Sequence, residues 1–166
     1  MYYINIFFIY SFIGYIYEIL LALIMNNKLD SGFLYGPITP IYGIGVLIIL
    51  LFSRWLFKKL KLNKYLELGI FFILIILILT SIEWLGGKLL YLLFNKDYWN
   101  YSDLPLSIGK YISVEVSLIW GIFSLILLFW IHPLIKKITT KIPKVVTFTL
   151  IFAFFIDLII TLINKL

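Results

Sequence analysis

The chain has 166 residues, of which 63% are hydrophobic and 13% charged, with a net charge of +6 and no cysteine. A soluble domain is about half apolar and about a quarter charged, so this chain cannot cover its surface with polar groups and its solvent is lipid. Disulfides and thiolate metal sites are excluded, a lone His132 gives no basis for a histidine metal centre, and no cofactor is expected.

The apolar pattern predicts an all-α integral membrane bundle, a single transmembrane domain over 1–166 with five spans near 3–25, 38–57, 65–85, 111–131 and 145–163. The first span has neither a basic leader region nor a small-residue cleavage site, which marks it as a membrane helix and not a secretory signal. Ser11, Gly14 and Glu18 share one of its sides by i, i+3, i+7 spacing. Next comes "DSGFLYGPITPIYGIG" (30–45), where Gly36, Pro37 and Pro40 interrupt an otherwise oily chain. Irregular backbone is not tolerated against lipid, so this stretch is either an external turn or a re-entrant segment lining a cavity. Thr39, between the prolines, is placed to satisfy a freed backbone group.

The second span runs into a basic loop holding Arg54, Lys58, Lys59, Lys61 and Lys64. On the third, Thr80, Glu83 and Gly87 fall on one side. "NKDYWNYSDLPLSIGKY" (95–111) follows, where Trp99 and Asp103 form either a lid over a cavity or part of an interfacial aromatic belt. The fourth span carries a stripe of small residues, Ser113, Ser117, Gly121 and Ser124, suited to close helix approach, with Glu115 beside it. After the basic Lys136, Lys137, Lys141 and Lys144, the fifth span repeats Thr149, Ala153, Asp157 and Thr161 at four-residue steps.

The cations sit in short loops between spans, which is a topology signal and no sign of nucleic-acid binding. The two strongly basic loops belong in the cytoplasm, with the N-terminus inside, the C-terminus outside, and the segments 30–45 and 95–111 external. This describes a multi-pass protein of the cell membrane. The loop over 54–64 also suits anionic lipid or a partner. A chain so rich in Ile, Asn, Phe and Tyr, with Lys far ahead of Arg, points to an AT-rich bacterial genome.

Glu18, Glu83, Glu115 and Asp157 all fall in the outer halves of their spans. Clustered carboxylates in low dielectric cannot all ionise uncompensated. Some are protonated, some pair with Lys88 or Lys110, or a cationic ligand sits among them. The alternative is structural, with neutral carboxyls hydrogen-bonded to Tyr15, Tyr17, Trp84 or Ser113 as helix glue.

"YSFIGYIYEIL" (10–20), "SGFLYGPITPIYGIG" (31–45), "IEWLGGKLL" (82–90), "YWNYSDLPLSIG" (98–109) and "SLIWGIFS…HPLI" (117–135) occur in an order that resembles the ABC-transporter permease family labelled CmpB or ABC-transporter type IV. The resemblance runs from about Tyr3 to about Leu134, and "GFLYGP…PIYG" is its most specific element. The family pattern differs at Ser31, near Tyr91 and at Asn100-Tyr101. The resemblance implies a small bacterial membrane protein acting as a permease or transport component. Glu18, Glu83 and Glu115 would then line an outward-facing cavity, with Gly36, Pro37 and Pro40 shaping its wall and Trp99 and Asp103 at its mouth. It further implies a separate ATP-hydrolysing subunit at the basic loops and a homo-oligomeric or heteromeric assembly in the bilayer. Two other classes stay open: an intramembrane enzyme at the outer leaflet with Glu83 or Glu115 as general base, and a non-catalytic scaffold or sensor.

Overall fold

The computed structural model describes residues 1–24 and 33–165. Residue 25 of the first predicted span, together with Lys28, Asp30, Ser31 and Gly32, lies outside the described residues. Among the described residues the architecture is helical, with no β-strand: α1 (Tyr2–Ile24), α2 (Pro40–Leu60), α3 (Lys64–Phe94), α4 (Val114–Ile126), a π-helical turn (Leu127–Ile131), α5 (His132–Thr139) and α6 (Lys144–Lys165). Because α4, the π turn and α5 run on continuously, the described residues contain five helices long and apolar enough to cross a membrane.

Two helices overrun the predicted spans. The 31 residues of α3 reach about 46 Å at 1.5 Å per residue, well beyond a hydrocarbon layer of about 30 Å. Gly86 and Gly87 do not end it, because Gly87 is a packing position: a Cβ there would lie 2.7 Å from the Tyr111 ring. Asn95 ends it instead, in the left-handed region (φ 50°), with its N–H on the Tyr91 carbonyl at 2.8 Å. The fourth span starts later than predicted, capped by Ser113, and continues through the π turn to Thr139. Pro133 explains that turn, since it has no N–H to give the carbonyl of Phe129 and its ring crowds the preceding turn.

The chain forms two compact units, one of Met1–Leu47 with Leu134–Leu166 and one of Ile48–Pro133. In the first, Phe7 and Phe8 meet Phe154 edge-on at 5.7 and 6.0 Å, and the buried Thr147 hydroxyl donates to Asn5 Oδ1 at 2.6 Å. The packed face of α6 therefore runs through Thr147, Phe154 and Thr161, whereas Thr149 and Ala153 are exposed, contrary to the expected four-residue stripe. Seven residues bring a helix back to nearly the same face after two turns, and the large Phe154 fixes which face packs.

In the second unit, Phe71, Ile75, Leu79, Glu83 and Gly87 form the buried stripe of α3. It meets the predicted small-residue stripe of α4: the Thr80 hydroxyl donates to Ser117 Oγ at 2.8 Å, and Gly121 admits Ile76 and Phe72. Phe71 also stacks on Phe52 of α2 at 6.0 Å.

Candidate functional site

Each unit builds one carboxylate-bearing region where the chain leaves helical geometry.

In the first, residues Phe33–Thr39 are irregular, and Pro40 opens α2, where its missing N–H costs nothing. Leu34 is buried and anchors the segment. Its backbone groups are met from two helices. Thr39 N–H donates to the Ser11 carbonyl of α1 at 3.0 Å, and Ile38 N–H donates to the Gly36 carbonyl at 2.8 Å. Thr39 thus serves through its N–H, while its hydroxyl is buried without a partner, as is that of Ser11. From α6, the Asp157 carboxylate accepts from Gly36 N–H at 3.0 Å and from Tyr35 N–H at 3.2 Å. A Cβ on Gly36 would come within 2.9 Å of Asp157 Oδ2, so only glycine brings the backbone this close. Lys165 completes the clamp, donating to the Phe33 carbonyl at 2.8 Å and lying 4.8 Å over the Tyr35 ring.

Glu18 of α1 is half-buried, and Tyr42 donates its hydroxyl to it. That partner is neither Tyr15 nor Tyr17, although the Tyr17 ring packs edge-on against Tyr42 at 6.0 Å. Tyr42 comes across from α2 because Gly14 has no side chain and its backbone lies against the Tyr42 ring. Of the predicted residues, the first unit thus holds Gly36 against Asp157 and Glu18 on Tyr42, with Pro40 at the start of α2 and Pro37 exposed. Asp157 is the residue underrated in the sequence. A carboxylate within an apolar helix is a signal by itself, but nothing in its spacing names a partner more than a hundred residues away.

In the second unit, Glu83 is buried on α3, about 17 Å before the end of a helix that runs on past residue 85, where the predicted span stops. One carboxyl oxygen accepts from the Tyr101 hydroxyl at 2.7 Å, the Trp120 side chain also hydrogen-bonds to the group, and Oε2 is buried with no partner. An uncompensated buried carboxylate costs several kcal/mol, against about 1–3 kcal/mol for an unpaired neutral hydroxyl. The lysines named as counter-ions are engaged elsewhere: Lys110 pairs with Asp97 at 3.1 Å and Lys88 lies 4.4 Å over the Trp84 ring.

Glu115 is in the first turn of α4, where the Ser113 hydroxyl donates to it and Leu106 N–H reaches it at 3.0 Å. It is a capping carboxylate, at the helix end where a negative charge is stabilised. Trp99 packs edge-on against Tyr111 at 6.4 Å with its indole nitrogen buried and unpartnered, and Asp103 is exposed. From the loop, Tyr101 thus reaches α3 at Glu83, and Trp99 packs on Tyr111, whose ring lies on Gly87.

The loop also holds an acid–base pair, Asp97 with Tyr111. The Tyr111 hydroxyl and then Lys110 hold the Asp97 carboxyl below its usual range, and the same bond, chiefly, pushes Tyr111 up to about 12. The stability from Asp97 is therefore complete above the ordinary carboxylate range and fades as pH falls through the lowered folded value. That from Tyr111 is complete below the ordinary phenol range and fades as pH rises toward about 12. Tryptophan emission, measured as wild type minus W99F, is expected to be flat across neutral pH and to change at both extremes. Abolition of the acid change in D97N would confirm its source, and its persistence would refute it.

No curated protein and no solved structure matches the chain. A family model described as "Putative ABC-transporter type IV" matches residues 5–162, extending through α6, beyond the stretch on which the sequence resemblance rested. The chain belongs to this ABC-transporter type IV family of membrane proteins.

Proposed function

We propose that the protein is a transport component whose acidic regions meet the transported solute, through Glu18, Gly36, Pro37 and Pro40 in one unit and Glu83, Glu115, Trp99 and Asp103 in the other. The observation that carries this is the segment 33–39, an irregular backbone held by Asp157 in a chain otherwise built for lipid. Membrane proteins keep such backbone where protein or a watery cavity satisfies it, and broken helices of this kind border solute sites. A cationic solute, or one moving with a proton, complements these carboxylates. The basic loops, cytoplasmic by the charge distribution, are the docking place for a separate ATP-hydrolysing subunit, in a homo-oligomeric or heteromeric complex. Glu115 alone has partners that favour a structural role, because its cap bonds occupy both oxygens.

Purification in mild detergent from the native membrane tests the proposal. The expected result is a nucleotide-hydrolysing subunit that co-purifies and is lost when Lys58, Lys59 and Lys61 are replaced together by Gln. Purification without such a subunit, with E18Q and E83Q lipid extracts matching wild type, would favour the scaffold. A chemically altered lipid present with wild type and missing with E83Q would make the protein an enzyme.

A further inference from the structure

We propose that Glu83 is a proton-exchanging site, the proton being the ligand of the second unit. This goes beyond the transport proposal and does not depend on it. The three partnered carboxylates of the unit's outer region are provided for very differently. Asp97 has a lysine and a phenol, and Glu115 has a hydroxyl and a backbone N–H at a helix start. Glu83 is 6% exposed, receives only neutral donors from Tyr101 and Trp120, and keeps Oε2 buried with nothing to balance a charge.

Among the described residues, the surroundings hold nothing else that would carry that charge. From α4, Trp120 and Ser117 face this stretch of α3, and neither titrates. From the loop come Tyr101 and, one turn further along α3 at Gly87, Tyr111, whose hydroxyl is already given to Asp97. Lys110 sits on Asp97 and Lys88 on Trp84. A proton on Oε2 is then the smallest change that makes the group neutral, and it leaves both existing donors in place on the carboxyl. Loss of that proton creates a charge that draws Tyr101 and Trp120 in more strongly, since hydrogen bonds to an ionised acceptor are about twice as strong. Tyr101 is tied through its own N–H to the Lys110 carbonyl at 2.7 Å, so the loop is the element that senses the change.

Infrared difference spectroscopy of the full-length protein in lipid nanodiscs tests this, as wild type minus E83Q. At neutral pH the expected spectrum contains the carbonyl stretch of a protonated carboxyl, which converts to carboxylate bands as pH is raised. Carboxylate bands already present at neutral pH would overturn the proposal, as would a protonated band that never titrates. Should E83Q not fold, Y101F provides the same answer. Loss of one donor shifts a protonated carbonyl stretch to higher frequency, whereas an effect confined to carboxylate bands means the group is ionised. A protonated, titrating Glu83 in a protein that moves no solute would sink the transport proposal and leave this one standing.

Discussion

Replacing Asp157 with alanine is expected to free the Phe33–Thr39 segment and to lower stability by about 1–3 kcal/mol. The loss comes chiefly from Gly36, whose N–H is partly buried and would have no acceptor, whereas the Tyr35 N–H is exposed and turns to solvent. An asparagine side chain at this position retains a single acceptor oxygen, so D157N should fall between wild type and D157A. Thermal unfolding in detergent measures the energetic part. The structural part is read by thiol labelling, because the chain contains no cysteine and one placed at the exposed Pro37 reports on this segment alone. Labelling is expected to accelerate in D157A. An unchanged rate together with an unchanged unfolding temperature would show that the carboxylate does not hold the segment.

Gly43→Ala is expected to be the most damaging of the glycine substitutions, at about 1–3 kcal/mol. Its Cβ would fall against Ser11 Oγ and 2.6 Å from the Phe7 carbonyl oxygen. A helix carbonyl cannot rotate aside, so α1 and α2 would have to separate. Gly121→Ala meets side chains instead, Ile76 at 2.6 Å and Phe72 at 2.8 Å, which have rotamers to adjust, and should cost less. Gly69→Ala meets nothing within 4 Å and should stabilise α3 by about 1 kcal/mol through helix propensity. The order Gly43, Gly121, Gly69 in unfolding temperature is the prediction, and a Gly43 variant as stable as wild type would refute the close approach of α1 and α2.

These two positions show how far the residues alone reach. Composition and hydropathy gave the lipid solvent and the number of helices long and apolar enough to cross, because lipid imposes a length and an apolar content that can be counted along one chain. The one-sided placement of Ser11, Gly14 and Glu18, and of Ser117, Gly121 and Ser124, was also legible, since helical periodicity is local. Helix ends were less so. Gly86-Gly87 resembles a stop, and only the ring of Tyr111 lying on Gly87 explains why α3 continues. Hydrogen-bond partners were legible only where they are local, as Ser113 is for Glu115. Tyr42 for Glu18, Tyr101 for Glu83 and the Tyr35–Gly36 backbone for Asp157 each come from another segment of the chain. Which donor meets a carboxylate depends on how helices are rotated and offset against one another, and packing of side chains such as Phe154 and Phe71 decides that only in three dimensions.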